Sequence, residues 1–247
     1  MIKILALILL LVVSGSPLIA QDDVRMNQIV MDAVTRDEFS GSVLVARNGN
    51  IILDKGYGLA NREWAIPNDG DTKFRLASVT KQFTAVAVMI LHERGLVSLD
   101  EPIKTYLTGA PAAWDNITVK NLLTHSSGIP NFTDFDDFEM RKKQFTTVSQ
   151  LIDRFRDREL AFEPGNKWEY SNSNYTILTA IIEQVGGVPY SEFVSQNLFA
   201  KLGMSDSGYD TYAAVIPKRA SGYVLTTKGI RNADYIDMSI PQGAGGL

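Results

Sequence analysis

The chain has 247 residues, with 45% hydrophobic, 21% charged and 9% aromatic residues, which excludes a disordered, collagen-like or polytopic membrane chain and allows one large domain or two small ones. Its 24 Lys+Arg against 28 Asp+Glu give a net charge of -4, and the basic residues are too scattered to neutralise a line of phosphates, so nucleic acid is excluded as a partner. Zero cysteine excludes disulfides, thiolate nucleophiles and cysteine-based metal sites, and two histidines, His92 and His125, leave little for any other metal.

Residues 1–20 read as an export signal. Lys3 supplies the charged start, Ile4 to Val13 the apolar run, and Ser14, Gly15, Ser16 and Pro17 the helix-breaking region before a cut near Ala20. The run is too short to span a bilayer. The expectation is a periplasmic or secreted bacterial protein, free of the membrane after cleavage, with residues 21–247 as its working domain.

Two Val/Ile/Leu-rich runs, Ser42 to Ala46 and Ile51 to Leu53, flank Arg47-Asn48-Gly49-Asn50. Asn-Gly between apolar runs predicts a hairpin, because both residues tolerate positive φ. Val79 to Glu93, nearly continuous in apolar residues from Phe83 to Leu91 and stopped at Arg94-Gly95, predicts a helix buried on most sides. Helical patterns follow at Val119 to Leu123, Val148 to Phe155, Tyr175 to Val185 and Tyr190 to Leu198, separated by turns at Gly128-Ile129-Pro130, Pro164-Gly165 and Gly186-Gly187. The acidic group Asp134, Asp136, Asp137 and Glu139 reads as a solvated loop, since the glycine and terminal glutamate of a calcium loop are missing.

The sequence has no Gly-x-Ser-x-Gly elbow and no phosphate-binding Gly-x-x-x-x-Gly-Lys, and His92-Glu93 lacks the second histidine of a zinc-protease helix. Ser78-Val79-Thr80-Lys81 instead puts a serine and a lysine on one face of the first turn of the apolar helix. A serine hydroxyl needs a neighbouring base to become a nucleophile, and burial plus the positive end of the helix disfavour an ammonium at Lys81. The Ser78 N–H, at a helix start, can serve as one half of an oxyanion hole. On spacing alone the pair reads rather as an N-cap serine beside an exposed lysine. Tyr170-Ser171-Asn172 is the second candidate: a tyrosine near Lys81 can take the serine proton and the Asn172 amide can hold a carbonyl, while the spacing alone fits a loop that caps the next helix.

The surroundings of both motifs carry a resemblance. Phe74-Arg75-Leu76-Ala77-Ser78-Val79-Thr80-Lys81-Gln82-Phe83-Thr84-Ala85, and Phe162-Glu163-Pro164-Gly165 with Trp168, Tyr170-Ser171-Asn172 and Tyr175, resemble the class C β-lactamase-related serine hydrolases. Leu122-Leu123-Thr124-His125-Ser126-Ser127-Gly128-Ile129-Pro130 and Leu202-Gly203-Met204 are similar to two further signatures of that family, in family order over residues 40 to 247. The resemblance implies an α/β (α+β) fold: a β-lactamase-like sandwich with an antiparallel sheet and a helical subdomain. It implies Ser78 as acylated nucleophile, Lys81 and Tyr170 as its proton-transfer partners with the base left open between them, and Asn172 as the residue that orients the acyl group. No metal or cofactor is implied, and the partner is a small-molecule or peptide substrate: an ester, a β-lactam or a D-amino-acid peptide. His125 reads as a structural anchor and His92 as a partner of the helix C-terminus.

One family motif, Lys-Thr-Gly or His-x-Gly near the C-terminus, is absent from these 247 residues. The chain therefore reads as one cut short after Gly243-Ala244-Gly245-Gly246-Leu247, with its C-terminal strands missing, an uncovered strand edge and little turnover of its own. The alternatives to a working hydrolase are a non-catalytic penicillin-binding-like ligand binder and an inactive fragment.

Overall fold

The computed structural model describes residues 17–247, so most of the expected export signal lies outside the described residues. The chain divides into two compact units, residues up to Lys73 with Pro217–Gly222, and Phe74–Ile216 with Tyr223–Leu247.

The first unit opens with helix α1 (Pro17–Thr35), which spans the cut expected near Ala20. Strands β1 (Gly41–Arg47) and β2 (Asn50–Tyr57) follow as an antiparallel pair with Arg47 opposite Asn50. The turn residues Asn48 and Gly49 have φ of 52° and 78°, the left-handed pair that a two-residue hairpin requires. Asn27 of α1 accepts hydrogen bonds from Lys55 Nζ and the Tyr57 hydroxyl, tying the helix to β2. A smaller ribbon, β3 (Leu59–Asn61) with β4 (Ile66–Pro67), is joined by the returning residues, where Ser221 N–H donates to Ala60 O. The buried Asn68 fastens the ribbons by donating from Nδ2 to Tyr57 O and Ser40 Oγ.

The second unit is mainly helical. It contains α2 (Thr80–Glu93), α3 (Val119–Leu123), α4 (Phe138–Arg141), α5 (Val148–Asp153), α6 (Asn172–Gly186), α7 (Tyr190–Val194) and α8 (Ala200–Leu202). The chain between α7 and α8, Ser195–Phe199, forms a π-turn. A hairpin of β5 (Tyr223–Thr226) and β6 (Gly229–Asn232) and the short helix α9 (Gln242–Gly245) complete it. The fold is thus mixed α/β with antiparallel strands. α3 and α5 begin with capping boxes, Thr118 with Asn121 and Thr147 with Gln150, each satisfying two otherwise orphaned N–H groups. α6 stops at Gly187, whose φ of 73° suits a residue without Cβ.

α2 and α6 carry the core: Ala87, Val88 and Leu91 pack with Ile177, Leu178, Ile181 and Ile182, and Trp114, Phe132 and Phe155 extend the same cluster. The apolar run Phe83 to Leu91 is less uniformly buried than its composition predicts, since Val86 and Met89 are exposed. The acidic group also departs from a plain solvated loop. Asp137 pairs with Arg141 and with Arg154, and those guanidinium groups hold its carboxyl below the usual carboxylate range.

Candidate active site

Ser78 lies in a single 3-10 turn, Ala77–Val79, that leads into α2. It is not the N-cap of that helix: Val79 occupies the position, without a side-chain cap bond. The hydroxyl points elsewhere, with Oγ 2.8 Å from the Tyr170 hydroxyl and 3.3 Å from Lys81 Nζ. Ala77, just before it, has φ of 45°, a left-handed conformation that costs a residue with a Cβ roughly 1–2 kcal/mol. Backbone strain of this kind persists where the surrounding structure over-determines it. Here the Leu76 N–H donates to Leu247 O on one side of the turn, and the Leu247 N–H donates to Thr80 Oγ1 on the other.

Lys81 is buried, 7% exposed, and each direction in which its amine can bond is occupied. Nζ lies 2.8 Å from Asn172 Oδ1, 2.8 Å from Ala244 O and 3.3 Å from Ser78 Oγ. Burial lowers its pKa below the ordinary lysine value, and the Tyr170 hydroxyl only partly offsets this. Two carbonyl oxygens can only accept, so they take two of its N–H groups, and the third direction of the nitrogen faces the serine oxygen.

Tyr170 and Asn172 flank the start of α6. The Asn172 N–H, one of that helix's orphaned donors, is taken by Asn131 Oδ1, and Asn172 Nδ2 donates to Thr133 Oγ1. The Asn172 carbonyl oxygen serves Lys81 and, at 3.4 Å, the Tyr170 hydroxyl. Asn172 therefore orients the lysine, a task that the expectation of an acyl-holding amide did not include. All four expected residues, Ser78, Lys81, Tyr170 and Asn172, meet at one place.

His125 packs beside them. Its ring stands 4.6 Å from the Tyr170 ring and 5.2 Å from that of Tyr175, Nδ1 accepts the Ser171 N–H, and its carbonyl accepts the Glu169 N–H. Burial, with the nearby Lys81 charge, lowers its pKa to about 4. The ring is consequently neutral near pH 7, with its proton on Nε2; it holds Ser171 in place, while the His125 carbonyl holds Glu169. His92 stands in the last turn of α2, and its Nδ1 bonds to Val97 O beyond the helix end.

Sequence reasoning missed the contribution of α9. Thr84 Oγ1 donates to Gly243 O at 2.6 Å and, having spent its one proton, accepts from the Tyr190 hydroxyl at 2.7 Å. The Gly243 N–H donates to Thr179 Oγ1. α9 is pressed so closely on α2 and α6 that a Cβ on Gly243 would lie 2.5 Å from Thr179 Oγ1 and 2.9 Å from Thr84 Oγ1. The only signals in the sequence were a threonine inside an apolar run and the Gly-Ala-Gly-Gly string.

A family model described as Beta-lactamase matches residues 26–247. Among curated proteins, the chain is 33% identical over 225 residues to PbpX of Bacillus subtilis (strain 168), covering 91% of this chain and 55% of that protein. It is 30% identical over 246 residues to esterase EstB of Burkholderia gladioli, covering 90% of this chain and 60% of that one. The chain thus spans little more than half the length of these curated relatives. Among solved structures, a penicillin-binding protein from Bacillus halodurans superposes with a TM-score of 0.78 at 32% identity, over 87% of this chain and 67% of that one. The D-amino acid amidase from Ochrobactrum anthropi SV3 gives 0.78 at 28% identity, over 91% and 65%.

Proposed function

The chain belongs to the β-lactamase family, and on that premise we propose that it is a serine hydrolase that works through an acyl-enzyme on Ser78. The observation that carries this is the arrangement around one oxygen: Ser78 Oγ has the Tyr170 hydroxyl at 2.8 Å and the buried Lys81 amine at 3.3 Å. Proton acceptors within hydrogen-bond reach are what a serine needs to attack a carbonyl.

In the first half-reaction Ser78 Oγ bonds to the substrate carbonyl carbon and its proton passes to the Lys81 amine. The carbonyl becomes an oxyanion, which the Ser78 N–H stabilises. The bond to the leaving alcohol or amine then breaks with its electron pair on the leaving atom. The Tyr170 hydroxyl protonates that atom and regains its proton from Lys81. Water repeats the sequence on the acyl-enzyme, gives up a proton through the same groups, and releases the acid and free Ser78. Asn172 and the Ala244 carbonyl keep the two N–H groups of Lys81 occupied so that its lone pair stays on the serine.

The substrate is an ester, β-lactam or D-amino-acid peptide. EstB is named an esterase and the Ochrobactrum protein a D-amino acid amidase, which supports this range. The N-terminal apolar run supports export to the periplasm or beyond. The test is mass spectrometry after incubation with a fluorophosphonate, together with a panel of p-nitrophenyl esters, nitrocefin and D-alanyl-D-alanine peptides. The expected result is an adduct on the Ser78 peptide and turnover of at least one substrate class, abolished by Ser78→Ala. Ligand binding that survives Ser78→Ala, with no turnover in the parent to lose, would identify a binding protein instead.

A further inference from the structure

A cavity of about 300 Å3 opens among α4, α5 and the chain that follows α5, and none of Ser78, Lys81, Tyr170 and Asn172 borders it. Three guanidinium groups stand in its wall, Arg141, Arg154 and Arg158. Only two carboxylates accompany them. Asp137 accepts from both Arg141 and Arg154, so one negative charge serves two positive ones. Asp153 is already matched from outside the wall by Arg156 Nη1 at 2.9 Å. Arg154, with its side chain 13% exposed, is compensated on one side only: Nη2 donates to Asp137 Oδ1 at 2.6 Å, while Nη1 is buried and meets no acceptor among the described residues.

Arg158 has no carboxylate at all. Its guanidinium carbon lies 4.0 Å from the centroid of the Phe135 ring, and it makes no ion pair or hydrogen bond among the described residues. The ring holds the guanidinium in advance and leaves its N–H groups for an oxygen acceptor. Gln150 adds an uncommitted donor. Its carbonyl accepts the Thr147 N–H at 2.9 Å in the α5 capping box, and its Nε2 has no partner among the described residues. With Arg156 counted against Asp153, the wall keeps two positive charges that its carboxylates do not balance, and donors reach the space from α4, from α5 and from the chain beyond.

We propose that this cavity binds a phosphate group, as inorganic phosphate or as a phosphate monoester. Such a group carries about −1.5 to −2 charges near pH 7, which matches the excess in the wall. Its oxygens are arranged as a tetrahedron, so they meet donors that converge from several elements, and arginine pairs with them through two parallel N–H groups. A carboxylate brings one charge and two oxygens in one plane, and it satisfies fewer of these donors. The site is separate from the acyl-enzyme reading, since what it predicts is binding and not turnover.

The experiment is calorimetric titration of the full chain with inorganic phosphate, glycerol 3-phosphate and acetate, at constant ionic strength so that general screening does not vary. Expected is saturable phosphate binding, with acetate at least about tenfold weaker. Arg158→Ala should weaken phosphate at least about tenfold, the typical effect of losing a hydrogen bond to a charged group. Gln150→Glu keeps an oxygen for the Thr147 N–H, and with it the capping box, but puts a carboxylate in place of the amide donor and should abolish binding. Arg158 is exposed and unpaired with any carboxylate, and Gln150→Glu preserves its helix cap, so both variants keep the fold. Glycerol 3-phosphate bound more tightly than phosphate would assign the site to a monoester, and equal or weaker binding would assign it to phosphate itself. Absence of saturable phosphate binding, binding that either variant leaves unchanged, or acetate bound as tightly as phosphate would overturn the proposal.

Discussion

Lys81 Nζ lies 2.8 Å from the carbonyl oxygen of Ala244, a residue 163 positions further along the chain. A main-chain acceptor does not titrate and does not change rotamer, so it fixes one N–H of the lysine permanently. Asn172 Oδ1 fixes a second, and the third direction of the tetrahedral nitrogen is left for Ser78. The placement of α9 is thereby part of the proposed catalytic arrangement, although none of its side chains is reactive.

Gly243→Ala tests that dependence. The new Cβ would lie 2.5 Å from Thr179 Oγ1 with Thr84 on its other side, and overpacking of this kind costs about 1–3 kcal/mol. Urea unfolding should show that loss, and ester turnover should fall further than stability because the Ala244 carbonyl moves away from Lys81. Full turnover with the stability loss alone would separate α9 from the chemistry.

Asn172→Asp puts a carboxylate where a neutral carbonyl now meets Lys81 Nζ. In the parent protein, burial lowers the lysine pKa, so the acidic limb of kcat/KM should lie below the range of an exposed lysine. An adjacent negative charge favours the ammonium and raises that pKa. The limb should therefore move to higher pH in the variant, with turnover lost at neutral pH and recovered in part as pH rises. A limb that does not move would assign it to another group.

His125 makes stability depend on pH with a defined sign. Its folded-state pKa of about 4 lies below the ordinary value of 6.5, so the folded protein favours the neutral ring. Between those values the unfolded chain binds the extra proton, and stability rises with pH. The contribution is complete above pH 6.5 and is lost as pH falls toward 4, by about 3 kcal/mol in all. His125→Asn keeps an acceptor for the Ser171 N–H and tolerates the φ of 56° found there, but does not titrate. The difference between parent and variant unfolding free energies should carry the slope from pH 6.5 to 4 and be flat above it.

Ala77 holds a left-handed φ while its side chain is exposed, so substitutions there act through the backbone and not through packing. Ala77→Val should lose at least about 1 kcal/mol, because a β-branched residue fits that region worst. Ala77→Gly should stay within about 0.5 kcal/mol of the parent, since relief of strain is offset by the added freedom of the unfolded chain. Thermal melts of the two variants give the comparison, and equal effects would refute the strain at Ala77.

Local chemistry made much of the molecule legible in advance. Asn48-Gly49 specified the first hairpin because few other pairs accept two positive φ values, and the helices at residues 119–123, 148–153 and 172–186 follow apolar periodicity to within a few residues. α1 beyond residue 20, the β5–β6 hairpin and α9 were not foreseen. Tyr223–Thr226 and Gly229–Asn232 are four-residue strands, too short to show alternation against chance, and α9 is glycine-rich, with Thr84 donating to its Gly243 carbonyl and Thr179 accepting its Gly243 N–H.

For the site, the sequence by itself determined that Ser78 and Lys81 share one face of a turn, because three residues of helix geometry place them there whatever the rest of the chain does. Only the tertiary structure decided that Tyr170, 92 residues away, stands 2.8 Å from Ser78 Oγ, that Asn172 bonds to the lysine, and that a backbone carbonyl completes its shell. The reason is physical. Every residue carries a carbonyl, so no side-chain pattern marks the one at Ala244, and the packing of α9 on α2 and α6 alone selects it.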